Sequence, residues 1–321
     1  MALDNMAVFN EFFMPNIYEK LAQNVNAFNA ASGGAIRLTA AGNIGDYLRE
    51  SFADSLHSSQ RRVDRYAANG AQASTDYTQT EKTMVKIAGG FGPILFEPGQ
   101  MTWVEKPTGE AIEEVSQMFV EAMMQDMLNT GIAAAVAGIE NNAGVTEDVS
   151  GGASITQRVI NDSQAKFGDA SNRLRTTVMT GSMAHKLIDN NLANSAQLFV
   201  ADNVRVLDIL GRLIVITDAP ALLSTTPIPD QDKVLSLVEG AIEIRDPGNP
   251  IVNIDRTNGK ERIEETLQAD YDFTIGLKGY SWDETNGGKS PTDAEIATGT
   301  NWDKVVTSDK NTAGVIAIGD I

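Results

Sequence analysis

The chain has 321 residues, enough to bury a substantial core in one large domain or two ordinary ones. It has no cysteine, which excludes disulfides, thiolate catalysis and cysteine-held zinc or iron–sulfur sites. Acidic residues outnumber basic ones by 43 to 25, so the net charge is −18 and free binding to nucleic acid is disfavoured. No apolar run approaches the roughly 20 residues of a bilayer span, so we expect no membrane contact.

Residues 1–57 are predicted to form a mostly helical N-terminal arm. Apolar residues recur at helical spacing from Ile17 to Phe28, and a second short helix is predicted over residues 44–56. Neither helix has enough apolar surface for its own core, so we expect the arm to lie along another surface.

Residues 58–106 are predicted to form an extended β-hairpin. Strand-like runs at 83–87 and 94–96 flank the glycine-rich stretch 89–93, which is typical of a turn. A two-stranded hairpin is marginal alone in water, so it should lean on another surface, such as another subunit.

Charge separates this segment from the rest of the chain. It has six basic and five acidic residues, net +1, which leaves −19 for the remainder. A slightly basic projection on an acidic body favours head-to-tail contact between copies, although chance variation in a solvated hairpin explains the charge equally well. The basic residues are Arg61, Arg62, Arg65, Lys82, Lys86 and Lys106.

A long helix is predicted from Thr108 to about Glu140. Thr108 can cap it, and Ile112, Phe119 and Met123 belong to one apolar stripe. The methionines of this stripe indicate core packing more than a promiscuous groove.

Residues 153–240 alternate helix and strand signals, and after Pro247 and Pro250 the chain is rich in strand signals. A capping box at Ser154 predicts a helix to about Phe167, Thr176–Met179 is predicted to be a strand, and Ser182 starts another helix. Asn258-Gly259 predicts a hairpin, and Val315–Ile318 a terminal strand.

The motifs that could carry chemistry are weak. Gly287-Gly288-Lys289-Ser290 resembles the end of a phosphate-binding loop, but Asp283 replaces the opening glycine and Pro291 follows where a helix should begin. His57 and His185 have no second histidine at metal spacing. We therefore predict no catalytic residue, no metal and no cofactor, and an acidic carboxylate-dependent hydrolase stays a less favoured alternative.

Four stretches carry a resemblance to a known family, and their order spans nearly the whole chain. The chain resembles the major capsid proteins of tailed bacteriophages with the Hong Kong 97-type α+β fold, most closely those of chi-like, flagellum-targeting siphoviruses. The stretches are Met84–Pro93 (MVKIAGGFGP) with Trp103, Val178–Leu187 (VMTGSMAHKL), Leu210–Asp218 (LGRLIVITD) and Tyr271–Trp282 (YDFTIGLKGYSW).

The resemblance implies a division of the chain into family domains. They are an N-arm at 1–57, an extended E-loop at 58–106, a P-domain spine helix at 107–144, an A-domain at 145–240, and P-domain return strands with a C-terminal extension at 241–321.

The resemblance also implies a function and partners. Copies would assemble as pentamers and hexamers into an icosahedral head around double-stranded DNA, in the host cytoplasm, with a portal and, as in some family members, a decoration protein. Because the arm begins at Met1, we expect a separate scaffolding protein. An encapsulin-like compartment shell is the main alternative. We predict intersubunit contacts at Arg61, Arg62, Arg65, Lys82 and Lys86.

Overall fold

In the described residues, two six-stranded sheets and a two-stranded sheet, Tyr280–Trp282 with Trp302–Lys304, contact one long helix. The computed structural model describes residue 29 and residues 32–39, 45–53, 61–71, 79–96, 108–194, 212–225, 230–245, 250–261 and 264–321. The helices are α1 (Thr108–Glu140), α2 (Gln157–Ala165), α3 (Gly181–Asn194) and α4 (Asp293–Ile296).

The strands follow in chain order. They are β1 (Ile36–Thr39), β2 (Tyr47–Ala53), β3 (Gln79–Phe96), β4 (Thr146–Asp148), β5 (Leu174–Met179), β6 (Leu213–Ile216), β7 (Leu223–Ser224), β8 (Gln231–Val238), β9 (Ile242–Arg245), β10 (Ile251–Thr257), β11 (Glu264–Leu277), β12 (Tyr280–Trp282), β13 (Trp302–Lys304) and β14 (Gly314–Asp320).

The first sheet has the order β1-β9-β11-β3-β2, and β10 pairs with the first half of β11. Strand β3 is long enough to pair with β2 through its first residues and with β11 through the rest. The apolar face of this sheet packs against α1, where Ile242 and Ile244 of β9 approach Gly131. Glycine at this position lets the helix lie close to the sheet, because a Cβ would sit 3.1 Å from Ile244 Cδ1.

The second sheet has the order β4-β14-β8-β5-β6, with β7 at the end of β8. Its central strand β14 is buried from Gly314 to Gly319. The predicted division put this last strand with the return strands of residues 241–321, whereas it pairs with β4 and β8. An apolar strand needs cover on both faces of its sheet, and helices α1 and α2 both contact β14.

Helix α1 is buried in two different ways along its length. From Thr130 to Ile139 every residue except Ala133 is buried, because small alanines and glycines let neighbours approach from all sides. Before that, burial follows one stripe through Val120, Met123 and Met127. This confirms the predicted helix and its methionine core, although Met118 is 65% exposed.

Two local predictions in the first sheet were wrong. Residues 47–53 form β2 instead of a helix, because pairing with Gln79–Val85 of β3 satisfies their backbone. Residues 89–93 continue β3 instead of turning. A Cβ on Gly89 would lie 2.8 Å from the ring of Tyr271 on β11, so this glycine makes room for a neighbouring ring.

The remaining predictions either are confirmed or concern residues outside the described ranges. Helices α2 and α3, strand β5, the β10–β11 hairpin and strand β14 are confirmed, although Thr156 and not Ser154 caps α2. The predicted helix at 17–28 lies outside the described residues.

One hydrogen bond joins the first sheet to α1. The Tyr271 hydroxyl donates to Asp126 Oδ2 at 2.6 Å, and burial, helped by this carboxylate, raises the pKa of Tyr271. The Tyr271→Phe variant keeps the ring stacking with Phe273 but loses the hydrogen bond. We expect a loss of about 1.5 kcal/mol in the free energy of unfolding, measured by urea denaturation. An unchanged free energy would show that water replaces the bond at no cost.

A carboxylate secures the end of α1 and makes stability depend on pH. Asp309 Oδ1 accepts hydrogen bonds from Lys304 Nζ at 2.5 Å and Asn142 Nδ2 at 3.0 Å, and these bonds hold its pKa below the usual value. A lowered carboxyl pKa contributes stability above about pH 4 that is lost as the pH falls.

We therefore expect Asp309→Asn to lose less stability than the wild type between pH 6 and pH 3. Urea midpoints at both pH values measure the difference between the two proteins. Equal pH dependence would show that the Asp309 carboxylate adds nothing to acid sensitivity.

Candidate subunit interface

The hairpin made by β2 and β3 carries a segment that packs on none of the other residues described by the structure. All residues from 61 to 71 are exposed, including Val63 at 68% and Tyr66 at 95%. The backbone N–H of Tyr66 donates to Asp64 Oδ1 at 2.9 Å, which gives this segment some local order. Exposed apolar side chains beside charged ones are typical of interaction surfaces. We call residues 61–71 the arm tip.

The predicted interface arginines lie together in the arm tip. Arg61, Arg62 and Arg65 are exposed, and none of them forms an ion pair within the described ranges. Sequence reasoning missed Val63 and Tyr66, whose apolar surface lies among these arginines. Their isolated positions between polar residues gave no periodic signal.

The two predicted lysines lie in a different environment. Lys82 Nζ is 3.7 Å from Glu243 Oε2, and Lys86 Nζ is 2.8 Å from Asp272 Oδ2, both across the first sheet. Burial lowers the pKa of Lys82, which Glu243 partly opposes. The structure therefore separates these lysines from the arm tip and places them in ion pairs within the sheet, so their intersubunit role stays a prediction.

Ion pairs secure the base of the hairpin. Arg49 on β2 forms a two-pronged pair with Glu284, at 2.7 Å from Nη2 to each carboxylate oxygen. Lys289 Nζ is 3.2 Å from Asp46 Oδ2 just before β2. The loop after β12 thus holds the hairpin base while the arm tip projects.

The same loop contains the motif that resembled a phosphate-binding loop. A Cβ on Gly287 would lie 2.2 Å from Trp282 Cζ2, and Trp282 Nε1 donates to the Gly288 carbonyl at 3.0 Å. Gly287 therefore makes room for an indole ring, and no helix follows until Asp293.

An acidic surface lies elsewhere on the subunit. Helix α1 contains six acidic residues and no basic ones. Of these, Glu121 is exposed and Asp126 is half-buried. Asp293 and Glu295 of the adjoining α4 are exposed as well. We call Glu121, Asp293 and Glu295 the acidic face, and it complements the arm tip in charge.

Two other kinds of site, a metal centre and a membrane-spanning helix, have no candidate among the described residues. Across the described ranges, no group of three or more His, Asp or Glu residues is placed to hold a metal ion. None of the helices in those ranges combines the length and apolar character needed to cross a bilayer.

Comparison with known proteins decides the family. A model of the major capsid protein 13-like family matches residues 5–316. The chain belongs to this family. It is a phage major capsid protein, a structural component of the virion head. No curated protein matches the chain.

Solved phage structures share the fold of this capsid protein. The cyanophage Pam1 capsid asymmetric unit matches at TM-score 0.52 and 10% identity, over 89% of this chain and 88% of that one. Mycobacterium phage Adephagia matches at 0.52 and 11%, over 89% of each chain. Microbacterium phage Oxtober96 matches at 0.50 and 13%, over 90% and 91%. The capsid protein thus has the predicted Hong Kong 97-type fold, whereas the chi-like affinity stays a prediction.

Proposed function

We propose that this capsid protein assembles as pentamers and hexamers into an icosahedral head around double-stranded DNA, and that the arm tip carries a contact between subunits. The observation that carries the proposal is the full exposure of residues 61–71, with three arginines and two large apolar side chains. Such a surface gains stability when a neighbour covers it.

The acidic face of a neighbouring subunit is the partner that suits the arm tip. Glu121 of α1 and Asp293 and Glu295 of α4 offer carboxylates without a basic residue on α1 to compete for them. Contact between the arm tip of one copy and the acidic face of the next is head-to-tail, which generates closed rings when the rotation between copies closes. Many modest contacts of this kind add up through multivalency.

The proposed activity is binding without catalysis. The acidic chain suits a container for DNA, because a strongly basic lining would retain the genome by its phosphates. The further proposed partners are a portal, a separate scaffolding protein and a decoration protein, with assembly in the host cytoplasm. The five-part domain division given above belongs to the same proposal.

Electron microscopy of the expressed protein, alone and with a candidate scaffolding protein, tests this function. We expect closed shells of megadalton mass. A single small species under both conditions would contradict the proposal. An enzymatic turnover by that small species would favour the hydrolase alternative.

A further inference from the structure

Six basic side chains surround the junction of the two sheets, in a chain whose net charge is −18. They come from separate elements and meet only in the folded subunit. They are Arg37 on β1, Arg173 before β5, Arg175 on β5, Arg212 before β6, Lys278 after β11 and Lys310 before β14. We call this set the junction patch.

Two members lie on either side of one turn. Arg37 Nη2 is 2.6 Å from Glu239 Oε1, and Lys278 Nζ donates to the Glu239 carbonyl at 3.0 Å. Glu239 is therefore the shared anionic neighbour of two cations.

Two further members continue the patch across the loop before β14. Arg173 Nη1 donates to the Lys310 carbonyl at 2.9 Å, and the Lys310 ammonium contacts Asp169. Gly279, next to Lys278, lies against the same loop, where its Cβ would be 2.8 Å from the Asn311 carbonyl. The pKa of Lys278 is lowered by burial and then by Arg173 and Arg37, in agreement with this proximity.

The last two members lie side by side on parallel strands. Thr176 on β5 pairs with Leu213 on β6, so the preceding residues, Arg175 and Arg212, are neighbours. Arg212 Nη2 donates to the Ser171 carbonyl at 3.1 Å. Arg212 Nη1 is buried and has no hydrogen-bond partner within the described part of the chain. Burial lowers the pKa of Arg212, and no carboxylate offsets this effect.

The patch has more cations than anions to pair with them. Its contacts include two carboxylates, those of Asp169 and Glu239, against six basic groups. The cations without a carboxylate partner, such as the exposed Arg175, are available to an anion supplied from outside the subunit.

We propose that the junction patch binds carboxylates of a second copy of this chain. The inference rests on the proposed shell function, which brings copies into permanent contact. A second copy is the occupant that the charges favour over DNA, because every copy presents a large excess of carboxylates and the same net charge repels phosphates. The patch then lets one acidic subunit approach another without repulsion.

Carbodiimide cross-linking tests the inference in assembled shells. Carbodiimide joins a lysine amine to a carboxyl group as an amide, so Lys278 and Lys310 report which carboxylates lie against the patch. Shells made from equal amounts of unlabelled and nitrogen-15-labelled protein distinguish links between copies from links within one copy by mass spectrometry. We expect links from Lys278 or Lys310 to an Asp or Glu of another copy. Links confined to one copy, such as Lys310 to Asp169, would overturn the inference.

Arg175→Glu provides the second measurement. We expect its shell yield to fall about tenfold, while the circular dichroism and melting temperature of the unassembled subunit stay those of the wild type. The matched control is Arg158→Glu, which reverses an exposed arginine on α2 and should assemble normally.

The remaining outcomes also decide the question. Normal Arg175→Glu shells that fail to retain DNA would show that the patch binds phosphates, and normal shells with DNA would show that it binds neither; both results overturn the inference. Absence of shells from the wild type under all conditions would overturn the proposed function itself, and this inference with it.

Discussion

Replacing Arg61, Arg62 and Arg65 by glutamate should abolish shell formation while the subunit stays folded. The arm tip is fully exposed, so the substitutions disturb no contact of the described subunit. At the proposed interface they place like charges against the acidic face, which costs several kcal/mol per contact. We expect shell yield, measured by sedimentation and electron microscopy, to fall by at least about tenfold.

Two controls separate charge from other effects. The triple lysine variant keeps the charge and should assemble at a moderately reduced level, since lysine lacks the two-pronged geometry of arginine. Raised salt should weaken wild-type assembly and that of the lysine variant alike. Normal shells from the glutamate variant would show that the arm tip carries no essential contact.

The second large effect is expected at the buried tryptophan pair beside α1. Trp302 is 1% exposed, its ring meets Trp282 edge-on at 5.0 Å, and its Nε1 donates to the Ile296 carbonyl at 2.9 Å. It also lies against Gly138 of α1. Trp302→Ala leaves a cavity at this contact, and we expect the free energy of unfolding of the subunit to fall by about 3–5 kcal/mol.

Urea denaturation of the unassembled subunit measures this effect. Trp302→Phe is the matched control, because it keeps an aromatic ring and loses mainly the Nε1 hydrogen bond, worth about 1 kcal/mol. If the alanine and phenylalanine variants unfold at the same urea concentration, the cavity at α1 has collapsed and the tryptophan packing is not what holds the helix.

The long helix could be predicted from sequence because its signals are local. Thr108, the acidic first turns and the apolar stripe through Met123 and Met127 all lie within one element. Strand β5, helix α3 and the Asn258-Gly259 hairpin are local in the same sense.

Strand β2 shows what could not be predicted. Its register with β3, Tyr47 opposite Val85, joins segments separated by a long connection, and a short apolar run carries no record of a distant partner. The local sequence around Gly89 predicts a turn, because the ring that needs the space at Gly89, that of Tyr271, is far away in sequence. Long-range pairing overrode local propensity in both cases.

The candidate interface was predictable in part for the same reason. Net charge marks residues 58–106 as a slightly basic segment, and Arg61, Arg62 and Arg65 within it are exposed. Lys82 and Lys86 share that segment but belong to paired strands, where Glu243 and Asp272 reach them from β9 and β11. Only the strand order of the first sheet shows that the two lysines, unlike the three arginines, form ion pairs within the described subunit.

A density map of assembled shells by electron cryomicroscopy tests the central claim most directly. We expect Arg61, Arg62 and Arg65 of each subunit to lie within hydrogen-bond distance of carboxylates on a neighbouring subunit. We also expect that neighbour to cover Val63 and Tyr66. An arm tip that faces solvent in the closed shell would contradict this claim.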